Sequence, residues 1–407
     1  MDIPQHVIGF FIVLMLAALL VEPLARRLHL PFSAVLVLTG LAGAQVLVAA
    51  GIDLGLRWFQ FHDMVLYVLL PVIVFEAALT LDLRQVRADL VVLAVLALPV
   101  TLVSAAVTAA LFLAGTGHAA EVGWGTALLA GTLLSATDPA AVLDLFHRAG
   151  VPHRLSLLAE GESLFNSGLV VVAAGLLLER VLDGTGGDGG LLLSGRFVWL
   201  CAGGAAVGAL IGAGTVALLE RLTDAVRQGL ASLTGSYLAF WVAHHGLGLS
   251  GIMAVLAAGL IVGLWRRRRR SGSLPSFLEE LWAWAAYAAN AALFLLVGVT
   301  ISLTMFREHW LAMLVGIGAA LAGRAVAVFG VLGPAARLPG ARPVTLAQQA
   351  VLFWGGLRGA VTTALALSLP LALEDWLTVQ SAAYGVVLFT LFVQAPTLPL
   401  LLRRLRL

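Results

Sequence analysis

Residues 133–146 read LLSATDPAAVLDLF. The run is apolar enough to sit in hydrocarbon, yet Asp138 and Pro139 lie in its middle. Proline lacks an N–H and disfavours helix at the preceding residue, so a helix through this stretch breaks at Asp138. A second stretch, FWGGLRGAVTT at 353–363, repeats the pattern: Gly355, Gly356 and Gly359 loosen the backbone around Arg358. Irregular backbone at membrane depth is tolerated only where protein buries it or where it lines a cavity. The two stretches therefore predict discontinuous helices, provided that the chain is a membrane protein.

Composition says that it is. Of 407 residues, 61% are hydrophobic and 11% charged, against roughly 45–50% and 25% in soluble domains. The net charge of +2 excludes little, and every basic residue is arginine. The single cysteine, Cys201, permits no internal disulfide and no cysteine metal site. The start, MDIPQH, lacks the basic region of a cleavable signal.

A crossing helix needs roughly 20 mostly apolar residues. Thirteen spans are expected, at 7–24, 31–50, 63–80, 89–114, 124–146, 155–180, 196–219, 229–247, 250–265, 281–301, 308–333, 345–372 and 381–402. With the N-terminus outside, the inner loops hold eighteen arginines and the outer segments four; Arg324 and Arg358 fall within spans. That bias predicts N-out, C-in. The run Arg266–Arg270 reads as an anchor on anionic headgroups rather than a nucleic-acid site. Trp58, Trp282 and Trp284 fit interfacial belts. Five residues follow the last span, so no cytoplasmic regulatory domain is expected on residues 1–407.

Ionisable groups at membrane depth are costly and mark function by default. Here they are Glu76, Asp138, Glu160, Glu162, Arg324 and Arg358, with His244 and His245. At ~1.5 Å per helical residue, Asp138 and Asn166 lie roughly 13–17 Å from the inner face, near the midplane. Glu162 and Arg324 are similar in depth and opposite in charge, which favours a structural pair over two isolated charges. Glu162, Ser163 and Asn166 share one helix face, and Glu160 points elsewhere. Glu76 is packed or paired, with a secondary role in view. The histidines read as packing or interfacial groups.

The broken spans are the fifth and the twelfth, each the fifth of six if spans 1–6 and 8–13 form two halves. The halves start on opposite sides, the pattern of an inverted-repeat transporter. Other classes fit less well. An intramembrane hydrolase needs a base near its serine, and Ser163 and Ser167 have none at their depth. No loop is long enough for a channel filter.

Seven motifs in order, VFEAALTLDL (74–83), SATDPAAVL (135–143), GESLFNSG (161–168), SGIMAVLAAGLIVG (250–263), NAALFLLVGVTI (290–301), GRAVAVF (323–329) and WGGLRGAVTTALALSLP (354–370), resemble the monovalent cation/proton antiporter superfamily. The branch is that of bacterial sodium/proton antiporters and animal sodium/proton exchangers. The resemblance implies a homodimer in the bacterial inner membrane. It implies a mobile core at 89–180 and 308–402, a dimerisation scaffold at 1–88 and 196–301, and elevator-type exchange of Na⁺ (or Li⁺ or K⁺) for H⁺ without a cofactor. It implies a cation site of Thr137, Asp138, Ser163 and Asn166, a Glu162–Arg324 bridge, and Arg358 as stabiliser of the second crossing. The branch normally reads Asn-Asp where this chain has Asn166-Ser167. A carboxylate can hold either cation or proton; a serine lends only a neutral oxygen. Three accounts fit: a substitution that disables or locks the chain, a natural variant coupling through Asp138 or Glu160, or loss of proton-coupled exchange.

Overall fold

The protein was analysed as a computed structural model, which describes residues 16, 19–25, 27, 30–49, 63–120, 122–138, 146, 150–184, 190–268 and 276–405. Among these, every regular element is helical. The main helices are α1 (Phe32–Ala49), α2 (Leu70–Thr80), α3 (Leu90–Val95), α4 (Thr101–Ala120), α5 (Trp124–Leu133), α6 (His153–Leu182), α7 (Gly190–Leu219) and α8 (Ala225–Trp241). They continue with α9 (Gly251–Arg268), α10 (Ser276–Thr300), α11 (Trp310–Ala335), α12 (Leu346–Trp354), α13 (Ala360–Leu367), α14 (Trp376–Phe389) and α15 (Ala395–Leu405). Among the described residues, six stretches are long and apolar enough to cross a bilayer: Arg87–Thr116, His153–Leu182, Ser194–Leu219, Phe277–Thr300, Trp310–Ala335 and Trp376–Leu405. The expected first span, 7–24, lies mostly outside the described residues, as does the second half of the fifth.

Two groups of helices pack among themselves. One joins α7 to α9, α9 to α2, and α10 to α1; the other joins α4 to α11 and α5, α11 to α14, and α5 to α6. Without a hydrophobic force between helices in lipid, small residues that let backbones close up hold such pairs together. On α7, Gly204, Gly208 and Gly212 recur every four residues. A Cβ on Gly204 or Gly208 would strike the carbonyls of Ser250 and Ala254, so α7 and α9 touch backbone to backbone. Helix α6 belongs to the second group and meets the first at Gly168, where an added Cβ would reach Met253 and Leu256 of α9.

Both expected breaks are present. Helix α5 ends at Leu133, five residues before Asp138, and Ala136–Asp138 are non-helical. Helices α12 and α13 are separated by the non-helical stretch at Gly355–Gly359. The boundary expected at Gly246–Gly251 is a turn with Gly248 at φ +62°, a conformation that glycine enters freely.

Two arginines of the expected anchor have partners within the protein, and one belt expectation needs correction. Arg266 is 6% exposed and pairs with Glu279 at 2.7 Å, and Arg267 pairs with Asp82 at 3.3 Å. Those two guanidiniums neutralise acids on neighbouring segments. Arg268 is exposed, and Arg269 and Arg270 lie outside the described residues. The correction concerns Trp282, which is no belt residue: it is fully buried, stacks on Phe75 at 4.2 Å and donates its indole N–H to Ser232. A tryptophan whose N–H has an internal partner gains nothing from the interface. Trp284 is exposed as a belt residue would be, and Trp58 lies outside the described residues.

Candidate functional site

The two unwound segments cross each other, and the crossing is held by backbone groups that helix would otherwise satisfy. A polar main-chain group buried without a partner costs about as much as a lost hydrogen bond. Each exposed carbonyl of the first segment is taken by a side chain from another element. Asn166 Nδ2 donates to Ser135 O at 3.0 Å. Arg358 Nη1 donates to Ala136 O at 2.9 Å, joined by Thr362 Oγ1 at 3.3 Å. Ser167 Oγ donates to Thr137 O at 3.0 Å.

The second segment is met in the same way. The Asp138 N–H donates to Leu357 O at 2.8 Å. Asp138 Oδ2 accepts the Ala360 N–H at 2.8 Å, at the first turn of α13. A carboxylate there complements the positive end of the helix dipole. Gly359 makes room for it, since a Cβ at that position would fall on the Asp138 carboxylate. Thr390 Oγ1 donates to Arg358 O at 3.0 Å, and Arg324 Nη2 to Leu352 O at 2.8 Å.

Beside the crossing, α6 presents a polar cluster. Thr137 Oγ1 and Ser163 Oγ share a hydrogen bond at 2.9 Å, and Asn166 Nδ2 approaches Thr137 Oγ1 at 3.5 Å. Thr137, Asp138, Ser163, Asn166 and Ser167 are all buried. The structure thus brings together every residue expected in the cation site. Glu162, one residue before Ser163, forms a two-pronged buried ion pair with Arg324. Glu160 is apart from the cluster, beside the Thr80 hydroxyl and within Coulombic range of Arg267 and Asp82. Glu76, half-buried on α2, faces Glu160 and Arg266 at similar range.

Sequence reasoning did not single out Thr362 and Thr390, which satisfy carbonyls of the crossing, although Thr362 stands in a quoted motif. It also missed a clamp at the start of α6. Arg154 makes three hydrogen bonds of 2.8–3.2 Å to Asp89 and reaches the carbonyls of Arg342 and Pro343 at 3.0 Å.

A cavity of about 350 Å³ runs between the two helix groups on the side where Glu179 and Arg196 pair. It is mostly apolar, with Leu129, Leu133 and Val171 on one wall and Tyr67, Leu249 and Ile252 on the other. Val171 is one helical turn beyond Ser167. His244 also lines it and stacks against Phe240 at 5.5 Å, a packing role.

Residues 12–404 match the family model for the transmembrane sodium/hydrogen exchanger. The chain belongs to that family. Among curated sodium/hydrogen exchanger relatives, the Na⁺/H⁺ antiporter NhaS2 of Synechocystis sp. is 32% identical over 398 residues, which cover 97% of this chain and 70% of the relative. The Na⁺/H⁺ antiporter ApNhaP of Aphanothece halophytica is 33% identical, over 93% of this chain and 70% of its own. The solved sodium proton antiporter MjNhaP1 from Methanocaldococcus jannaschii superimposes with a TM-score of 0.83 at 19% identity, covering 100% of this chain and 99% of that one. The fold is therefore that of the sodium/hydrogen exchangers, and the protein is an integral membrane transporter.

Proposed function

We propose that this protein exchanges Na⁺ (or Li⁺ or K⁺) for H⁺ by elevator-type alternating access. The reading rests on one observation above all: a buried set of oxygen-bearing side chains at the crossing of two unwound segments, in a chain of the sodium/hydrogen exchanger family. Thr137, Asp138, Ser163, Asn166 and Ser167 form the cation site, with Asp138 supplying its negative charge. The Glu162–Arg324 pair and Arg358 hold the frame. The core is 89–180 with 308–402, moving against a scaffold of 1–88 with 196–301. The protein is a homodimer in the bacterial inner membrane, N-terminus outside. The route from the outer face to the site runs through the 350 Å³ cavity, whose lining reaches Val171, one helical turn beyond Ser167.

A second reading, altered coupling, is favoured by Ser167. Its hydroxyl binds a main-chain carbonyl and carries no titratable group. Coupling would then pass through Asp138 or Glu160, or be lost. Na⁺-driven proton movement in proteoliposomes, for this chain and for Ser167→Asp, separates the readings. Exchange by both supports proton coupling elsewhere than at position 167. Exchange by the Asp variant alone makes this chain a disabled antiporter. Exchange by neither refutes the proposed function.

A further inference from the structure

Three arginines are buried among the described residues: Arg266, Arg324 and Arg358. The first two each have a carboxylate, Glu279 and Glu162. Arg358 is 3% exposed and has none among the described residues; its Nη1 donates to the Ala136 carbonyl at 2.9 Å. That carbonyl and the helix end it belongs to supply partial negative charge only. Arginine does not shed its proton, and a buried charge without an opposite partner is costly.

Arg358 also lines a cavity of about 10 Å³ between α11, α14 and the unwound stretch at 355–359, room for a single small guest. The cavity's polar wall is made chiefly of donors. Arg324 lines it, and the buried Arg324 Nε meets no acceptor among the described residues. Gly356, on the same wall, lies against that nitrogen, since a Cβ there would strike it. Gln394, 2% exposed, adds an amide with two N–H groups. It comes from a π-helical turn, Thr390–Gln394, that joins α14 to α15; widened turns of this kind are frequent at functional sites. No carboxylate lines the cavity, and Ile317, Leu321 and Phe389 close much of the rest.

Two guanidiniums repel a cation. A water would bring two protons of its own, with the oxygens of Gln394 and Thr390 as the side-chain acceptors on the wall. A halide brings none and carries the missing charge. We propose that this cavity binds one chloride ion, which accepts from Arg324 Nε, the Arg358 guanidinium and the Gln394 amide and acts as the counter-ion of Arg358. Because Arg358 holds the Ala136 carbonyl, the anion secures the crossing of the unwound segments, and the fold becomes more stable when chloride is present. The site is separate from the proposed cation site, and its test needs no transport.

Thermal unfolding of the full chain in detergent tests this, with sodium gluconate replaced by sodium chloride at constant ionic strength. Raising chloride from about 1 to 100 mM should lift the midpoint by at least about 2 °C and then saturate, with bromide acting alike. Gln394→Leu should raise the half-saturating chloride concentration at least about tenfold, and Arg358→Met should abolish the response. If Arg358→Met does not fold, Gln394→Leu decides. Absence of a chloride response in the unsubstituted chain overturns the inference. So does a rise that never saturates and is the same in every variant, which is a general salt effect. Crystals grown in bromide should show an anomalous peak between Arg324 and Arg358; density without anomalous signal there means a buried water and overturns the halide.

Discussion

Glu162 and Arg324 are 1% and 4% exposed, so neither charge has water to fall back on. Both terminal nitrogens of the guanidinium meet the carboxylate, and Nη2 also serves the Leu352 carbonyl at 2.8 Å. Glu162→Ala leaves a buried guanidinium with that carbonyl alone. Breaking a buried pair from one side costs about 3–5 kcal/mol. Replacing both partners by apolar residues of similar size, as in Glu162→Leu with Arg324→Met, removes the orphaned charge. An isolated pair so replaced is often neutral. Here the Leu352 carbonyl still loses its donor, so the double variant should fall about 1–3 kcal/mol below the parent. The double variant is therefore expected to be more stable than the single one. Equilibrium unfolding in mixed micelles of rising denaturing-detergent content, read by tryptophan fluorescence, measures all three. A single variant as stable as the parent would refute the pairing argument, and so would a double variant weaker than the single.

Gly359→Ala forces a methyl onto the Asp138 carboxylate; a loss of at least about 2 kcal/mol follows from overpacking, and an unchanged melting temperature would count against the tight crossing. Arg358→Met takes the 2.9 Å donor from Ala136 O and leaves Thr362 at 3.3 Å; the expected loss is about 1–3 kcal/mol, checked by the same unfolding assay. Asp89→Asn removes the charge that three Arg154 hydrogen bonds address. Arg154 also ties down the carbonyls of Arg342 and Pro343, so amide exchange in 341–345 should quicken; exchange as slow as in the parent would show that the clamp is idle.

Much of this architecture can be read from the residues, for identifiable reasons. Hydropathy places the spans because lipid leaves helix as the one open structure for a spanning segment. The breaks are written in Pro139 and in Gly355, Gly356 and Gly359. The matched depth of Glu162 and Arg324 points at their pair. What is not legible is which side chain takes which main-chain group. Pro139 locates the first break, yet α5 already ends at Leu133, because the carbonyls of Ser135, Ala136 and Thr137 are claimed by Asn166, Arg358 and Ser167. That is a matter of long-range geometry, invisible in any local window. The same holds for Arg266 and Arg267. Nothing in the run at 266–270 announces that Arg266 stands opposite Glu279 and Arg267 opposite Asp82. Trp282 misleads likewise, since its partner Ser232 is fifty positions away.

The reciprocal hydrogen bonds of the crossing also bear on how the chain is made. In the segment at 134–138, Ser135 O and Thr137 O find donors on the next helix, α6, but the Ala136 carbonyl and the N–H and carboxylate of Asp138 take their partners from Leu357, Arg358, Ala360 and Thr362, more than two hundred residues downstream. During synthesis it enters the bilayer long before they exist. Hydrocarbon does not tolerate its bare carbonyls, so in the interval it must stay helical, keep water with it or be shielded by the insertion machinery. The break is thus acquired on assembly, when the second segment arrives, and truncation before residue 355 should leave the fifth span either continuous or retained at the insertion site.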